Sequence, residues 1–445
     1  MVGCEEVFKK ILDQLTQQST KRRQVVSVVG MGGIGKTTLA HKVYEHPSIT
    51  SHFDKRAWVS VSQKHSKEQM LQSLIGGVIG ASRAELHKQR TDQLAERLRK
   101  YLKEQRYLIV IDDIWSEEAW DSVQRCFPDD NNGSRILLTS RLKEVAKYAS
   151  SGNYIINMPF LDAGESWSLY CKVFGKIEFP SKFEQIGRDV VKKCNGLPLA
   201  ITIVASLLSK TEQNEEKWKN VAKSVTDGSN DACSRILYLS YNQLSHHLKA
   251  CFLYFGTFEE DYEIPVKKLV RLWAADGFLS TVKHVNIEKV AMECLQDLVD
   301  RSLVIVSKQS YNGKMKRIRI HDLLRDLCLN EAKRENLLNV FGYEKLPWKS
   351  QHLFTGFITQ ISFDHLFSHF KLLRLVDIEC GLYSDQYVAL TVLTNLVHLR
   401  YFALTVLSSS IGDDASFRVK LFEHRNMQSF IVRGKSKLGQ LFIET

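Results

Sequence analysis

The stretch VVSVVGMGGIGKTT, Val25 to Thr38, decides how the N-terminal part of this chain is read. A β-branched run feeds a glycine-rich turn, and the spacing G-x-x-x-x-G-K-[ST] closes on Lys36-Thr37. Loops of this kind cradle phosphate. Gly30, Gly32, Gly33 and Gly35 are expected to take backbone angles closed to other residues, aiming successive N–H groups at phosphate oxygens. Lys36 then reaches the β and γ phosphates, the Thr37 hydroxyl becomes a Mg²⁺ ligand, and the helix opening near Thr37 and Thr38 turns its positive end to the same anion. The cofactors implied are ATP or ADP with Mg²⁺. Accident produces the pattern in about one chain of this length in a hundred. Gly30, Gly32 and Gly35 also spell the dinucleotide fingerprint G-x-G-x-x-G, which wants an acid at the end of the second strand. Asp54 instead precedes the next strand, Arg56 to Val61, and Ser62-Gln63 follows it, so that reading fails.

Working outward, strands alternate with helical stretches to about residue 160, the pattern of a parallel sheet flanked by helices. Tyr107-Leu-Ile-Val-Ile-Asp112-Asp113 has the continuous apolar run of a strand buried on both faces, and it ends in two carboxylates. Ligands of open α/β sheets sit at the carboxyl ends of strands, so these acids belong in the crevice of the glycine loop. Asp112 is expected to hold Mg²⁺ and Asp113 to orient or deprotonate an attacking water. Taken alone, such a pair is more often a helix cap or turn. The segment Gly133 to Arg141 reads as a further strand whose last residue, Arg141, is placed to sense a γ-phosphate, an ordinary surface arginine being the plainer alternative.

Composition bounds the rest. A chain of 445 residues, 44% hydrophobic and 10% aromatic, has material for about three domains with real cores and is not a disordered tail. The longest apolar run, Leu197 to Leu208, falls short of the roughly eighteen residues that span a bilayer, and the first residues carry no hydrophobic signal core. A cytoplasmic chain without a transmembrane segment is expected, with membrane association only through partners. Nine cysteines without any C-x-x-C pair fit reduced thiols better than disulfides or zinc. The net charge of +11 is spread along the sequence and reads as solvated surface, which argues against nucleic acid as a partner.

Residues 231 to 335 read as helices followed by a hairpin, Leu303 to Ser307 turning at Asn312-Gly313 and returning through Lys314 to Arg319. Its lysines and arginines suit either a DNA-docking wing or an edge strand protected from aggregation, and the edge strand is preferred. Leu373-Arg-Leu-Val-Asp-Ile378, Leu399-Arg-Tyr-Phe-Ala-Leu404 and Met427-Gln-Ser-Phe-Ile-Val432 recur at separations of 26 and 28 residues, in the leucine-rich-repeat range. About three such strands are expected, the last without a polar cap.

The order of the motifs carries a resemblance. GMGGIGKTT, FDKRAWVSVSQ from Phe53, LIVIDDIW from Leu108, GSRILLTSR, CNGLPLA from Cys194, CFLYFGTFEEDYEIP from Cys251 and IHD from Ile320 together resemble the nucleotide-binding module of plant NLR immune receptors, the NB-ARC region of the coiled-coil class. LRDLCLNEAKREN from Leu324 is similar to late-blight resistance homologues. The resemblance implies an α/β P-loop domain over 1–158, a small helical domain over 159–230, a winged-helix domain over 231–340 and truncated leucine-rich repeats over 350–445. It implies an ADP-bound resting switch of disease resistance that opens on exchange to ATP, at most a slow ATPase, and assembles into an NLR-type oligomer or pairs with a partner receptor. A pathogen effector or a guarded host protein would be the signal. Within it, Pro198 packs on the adenine, Val2 reaches the adenine from the other side, and His321 hydrogen-bonds the ADP β-phosphate. The residues themselves leave alternatives open: Pro198 is also an ordinary first-turn helix proline, and His321 a locally satisfied histidine. Against the family pattern, the coiled coil that would precede Val2 is expected to be missing unless the sequence is truncated, Ile320 stands where methionine is usual, and Ser245-His246 stands where proline is usual. A plain catalytic NTPase and a nucleic-acid-binding regulator of the same ATPase class are the competing functions.

Overall fold

A computed structural model of the chain describes residues 2–17, 20–61, 66–80, 86, 89–150, 154–175, 179–211, 214–225, 232–279 and 287–335, and from there on 352–358, 373–380, 398–406, 429–433 and 443–444. Two compact units divide at residue 240.

The first unit is built on five strands, β1 (Gln24–Val29), β2 (Lys55–Ser60), β3 (Tyr107–Asp112), β4 (Arg135–Ser140) and β5 (Ile155–Asn157), in the order β2-β3-β4-β1-β5. Every pairing is parallel. All six residues of β3 and of β4 are buried, so neither shows the alternation of β2, and the middles of both, Leu108 to Ile111 and Ile136 to Leu138, run apolar. Val59, Ile109, Ile111, Ile136 and Leu138 share one core with Leu71, Leu74 and Ile75 of the helix Lys67–Ile79 and with Leu94 and Leu98 of the helix Thr91–Leu102. Ser66 and Gln69 close a reciprocal capping box at the start of the first of these helices, and Gly80 ends it in the left-handed region. Beyond β5 come four helices, Ala163–Phe174, Ser181–Lys193, Pro198–Lys210 and Glu215–Ser224. The aromatic pairs Phe174–Trp218 at 5.7 Å and Phe183–Trp218 at 4.9 Å join three of them.

Among the described residues of this unit, one buried guanidinium is held by backbone carbonyls. Arg135, at the start of β4, is 1% exposed. Its guanidinium donates to the carbonyls of Gln14 (3.4 Å), Gln17 (2.9 Å), Thr20 (3.0 Å), Arg22 (3.1 Å) and Ser134 (3.0 Å). It thereby fastens the end of the first helix, Glu5–Thr16, and the chain that leads into β1.

The second unit packs the helices His246–Leu253, Val266–Asp276, Ile287–Asp300 and Asp322–Arg334 with a three-stranded antiparallel sheet. Its strands β6 (Ile264–Pro265), β7 (Ile305–Gln309) and β8 (Met315–Arg319) lie in the order β6-β8-β7. The hairpin is present, but its basic strand β8 is central, not an edge, because Ile264 pairs with Ile318 on the far side. Only Gly313 of the Asn-Gly pair is left-handed (φ 77°), and Ser310 accepts from the Gly313 N–H, so the loop is a type I turn followed by a left-handed glycine. Four further strands, β9 (His352–Ile358), β10 (Leu375–Cys380), β11 (Tyr401–Val406) and β12 (Ser429–Arg433), pair in parallel in chain order, and β13 (Ile443–Glu444) closes antiparallel on β12. The strand β9 escaped the repeat pattern, and Met427 lies outside the described residues. The Lys268 ammonium meets the Asp377 carboxylate at 2.5 Å where the helix Val266–Asp276 joins these strands. Cys4, Cys126, Cys171, Cys194, Cys233, Cys251, Cys294 and Cys328 are free thiols.

Arg135→Met keeps the bulk but leaves these buried carbonyls without their donor. The substitution is expected to destabilise the first unit by about 2–4 kcal/mol. Hydrogen exchange should localise the loss to residues 5–23; unchanged protection there would show that the guanidinium is not what holds the segment.

Candidate functional site

Because β4 lies between β1 and β3, the carboxyl ends of these three strands deliver their side chains to one crevice. β1 runs into the glycine loop, and the helix Lys36–Tyr44 follows at once. That helix starts at Gly35 (φ 98°) with no side-chain cap and no acid in its first turn, so its leading N–H groups keep their donors for a ligand. The four glycines differ in their reasons. Gly33 (φ 78°) and Gly35 are left-handed, but Gly30 and Gly32 are not, which corrects the uniform expectation. A Cβ on Gly30 would stand 2.9 Å from Ile34 and 3.0 Å from Met158, so this position is small for packing; a Cβ on Gly35 would meet nothing, and the space before the loop is open.

Lys36 is 6% exposed, and its ammonium donates to the carbonyls of Gly30 (2.8 Å) and Met31 (3.2 Å). Burial pulls its pKa down, while Asp113, 4.0 Å away, pulls the other way. Thr37 donates its hydroxyl to Asp112 Oδ2 at 2.9 Å. Thr38 is exposed beside it. The Asp112 carboxylate is buried at the end of β3, and its other oxygen accepts from the Thr139 hydroxyl of β4 at 2.5 Å. Burial pushes the Asp112 carboxyl above the usual carboxylate range, the hydrogen bonds from Thr139 and Thr37 opposing it.

Asp113 is no helix cap: Ser116 caps the helix Glu117–Gln124 by accepting from the Ala119 N–H. Its backbone is left-handed (φ 53°), and its N–H donates to Thr139 Oγ1 at 2.8 Å. Asp113 Oδ2 pairs with Arg141 at 3.2 Å, and Arg141 also lies over the Trp115 ring at 4.6 Å. Asp113 Oδ1 is buried without a hydrogen-bond donor among the described residues.

The two segments expected to flank the adenine both rest on Leu161. A Cβ on Gly3, next to Val2, would stand 2.6 Å from the Leu161 side chain, and Leu161 N–H donates to Gly196 at 3.0 Å. Half-buried Pro198 opens the helix Pro198–Lys210, whose second residue, Leu199, donates its N–H to Gly33 O at 3.2 Å. His321 belongs to the second unit, where it caps the helix Asp322–Arg334: Nδ1 accepts from the Leu323 N–H at 3.2 Å and lies against Asp322. Sequence reading missed Thr139, Trp115 and Leu161. Only Thr139 left a signal, a hydroxyl that directly follows the apolar run Ile136-Leu137-Leu138.

Residues 4–178 match the NB-ARC domain and residues 257–328 match the disease resistance protein winged helix domain. With the P-loop sheet and its crevice, these matches place the chain in the NB-ARC class of nucleotide-binding proteins. It carries the winged helix of disease resistance proteins as well, and along most of its length it is similar to plant resistance proteins. It is 35% identical over 459 residues to a late blight resistance protein homolog of Solanum demissum and 35% identical over 463 residues to the late blight resistance protein R1-A of the same plant. Each match covers 94% of this chain and 35% of the relative, so the chain spans about a third of their length. Among solved structures, it is similar to the signal transduction ATPase with numerous domains PH0952 from Pyrococcus horikoshii, with a TM-score of 0.48 and 16% identity over 75% of this chain and 44% of that one. Among the described residues no helix is long and apolar enough to cross a membrane.

A carboxyl with a raised folded-state pKa contributes most below its unfolded value, and that contribution declines as pH rises from there through the folded value. At neutral pH the charge at Asp112 therefore costs the ligand-free protein stability. Asp112→Asn is expected to raise the ligand-free melting temperature of the first unit by about 2–4 °C at pH 7. The gain should shrink as the pH falls toward about 4. Calorimetry across that range checks it, and a lower melting temperature at pH 7 would refute the reading.

Proposed function

We propose that this chain is an ADP/ATP switch of plant disease resistance, off with ADP and on with ATP, with slow hydrolysis as its timer. One observation supports this most: Lys36, Thr37, Asp112, Asp113 and Arg141 meet at one end of one sheet, Thr37 on Asp112 and both Lys36 and Arg141 on Asp113. The fit to a nucleotide rests on the open space at Gly35, the uncapped helix start and the buried, undonated Asp113 Oδ1. Gly30, Gly32, Gly33 and Gly35 would present the loop amides, Lys36 would leave its carbonyls for the phosphates, and Thr38 would complete the first turn. Thr37 and Asp112 would hold Mg²⁺, which when bound neutralises charge on the transferring phosphoryl group.

The chain's own residues then divide the work. Asp113, with one oxygen held by Arg141, is set to orient or take a proton from an attacking water. Arg141 in this arrangement spends its charge on Asp113, and a γ-phosphate would compete for it, which makes the pair a sensor of the third phosphate. Val2 and Pro198 would flank the adenine, and His321 would bind the ADP β-phosphate and hold the closed state. The division into domains 1–158, 159–230, 231–340 and 350–445 goes with this reading, the last being leucine-rich repeats. Cytoplasmic placement, assembly or a partner receptor in the ATP state, and an effector or guarded host protein as the signal follow from the same proposal.

Purified protein is expected to carry ADP, and Lys36→Ala to carry none, on nucleotide analysis after denaturation; equal retention would remove the phosphate-loop assignment. Asp113→Ala should bind ATP within about threefold of wild type yet hydrolyse it roughly 10²–10⁴-fold more slowly in single-turnover assays. His321→Ala should release a fluorescent ADP analogue about tenfold faster, because it loses a contact made only in the closed state. An unchanged off-rate would return His321 to its helix-capping part alone.

A further inference from the structure

We infer that Thr139 is a positioning residue that sets both carboxylates of this site through one hydroxyl, an inference that rests on the site reading above. Its oxygen is the only atom among the described residues that bonds to both: it donates to Asp112 Oδ1 at 2.5 Å and accepts from the Asp113 N–H at 2.8 Å. The direction follows from the two partners, because a backbone N–H can only donate and an ionised carboxylate can only accept, so the hydroxyl presents a lone pair to Asp113 and its single proton to Asp112. Asp112 therefore receives one donor on each oxygen, Thr139 on Oδ1 and Thr37 on Oδ2, and keeps a defined carboxylate plane.

The second bond acts on the backbone. Asp113 stands at φ 53°, a conformation that a side chain other than glycine's adopts at a cost. The Thr139 oxygen at the amide holds it there, and the Ile114 N–H, one residue on, donates to the Thr139 carbonyl at 2.9 Å, so the turn after β3 is pinned on both sides by one residue of β4. Only this turn brings the Asp113 carboxylate to Arg141 and within 4.0 Å of Lys36. Thr139 is fully buried and pairs in register with Val28 of β1, so the ladder fixes its backbone and its side chain has no route to solvent. Removing the hydroxyl, with the shape kept, would release Asp113 to ordinary backbone angles and leave Asp112 with one donor.

Thr139→Val and Thr139→Ser test this against wild type in three measurements. Hydrogen exchange of the ligand-free protein over residues 107–116 should quicken about tenfold in the Val variant, the loss expected for one buried hydrogen bond. ADP affinity without Mg²⁺ should stay within about twofold, whereas the gain in affinity on adding Mg²⁺ should fall about tenfold and single-turnover hydrolysis at saturating ATP by at least that much. Thr139→Ser keeps the hydroxyl and should restore all three to within about threefold of wild type. If Thr139→Val yields no folded protein, Thr139→Cys takes its place, with the same losses expected. A Ser variant as impaired as the Val or Cys variant would overturn the inference, since packing and not the hydroxyl would be at work. So would a Val or Cys variant with wild-type exchange and Mg²⁺ response. A wild-type chain that binds no nucleotide would overturn the site reading itself and this inference with it, an outcome distinct from the other two.

Discussion

The Asp112 carboxylate is enclosed at the end of β3 between the Thr37 hydroxyl of the loop helix and the Thr139 hydroxyl of β4. A buried charge of this kind is tolerated only when its oxygens are donated to, each such bond contributing about 1.5–3 kcal/mol. That requirement fixes the neighbours. β4 must lie between β1 and β3, because only a strand in that place carries a hydroxyl to the acid while staying in register with the strand that feeds the loop. The left-handed turn at Asp113, the Arg141 pair and the stacking on Trp115 follow from the same arrangement. The sheet accepts a destabilising group at its centre, which is the usual mark of a residue kept for chemistry and not for packing.

Much of this crevice was legible in the residues alone. Lys36, Thr37, Asp112, Asp113 and Arg141 could be named because motif spacing reports backbone geometry, and parallel strands place their carboxyl ends together. What spacing could not report was pairing across the sheet. The bonds from Thr139 to Asp112 at the end of β3 and to Asp113 just after it depend on strand order, and the local sequence is silent on order. The glycines show the same limit: the motif demands four, but Gly30 is small because of Ile34 and Met158, a packing reason, while Gly33 is left-handed with Leu199 pressed on it. Leu161 was invisible, since a lone leucine between β5 and a helix carries no pattern of its own.

In the second unit, alternation and the Asn-Gly pair located the hairpin, yet the basic strand was misplaced at an edge. Ile264 and Pro265 supply only a two-residue strand, too short to show periodicity, and that strand makes β8 central. The repeat spacing of 26 and 28 residues did find β10, β11 and β12, because parallel strands in register repeat whatever the length of the chain between them. β9 pairs with β10 at a shorter separation, His352 standing opposite Leu375, and carries a register shift at Ile378/Glu379, so it did not stand out beside the later two intervals.

Arg135 holds the first helix and the lead-in to β1 through five backbone carbonyls and no carboxylate. Attraction between a cation and fixed peptide dipoles falls off within a few ångströms, and in a buried setting mobile ions do not reach it. The N-terminal segment is thus joined to the sheet by a contact insensitive to ionic strength, unlike the exposed Lys42–Glu5 bridge on the same helix. Changes in cellular salt can adjust the surface of this helix without loosening its root, so whatever precedes residue 5 in a longer polypeptide would pull on an anchor set by dipoles.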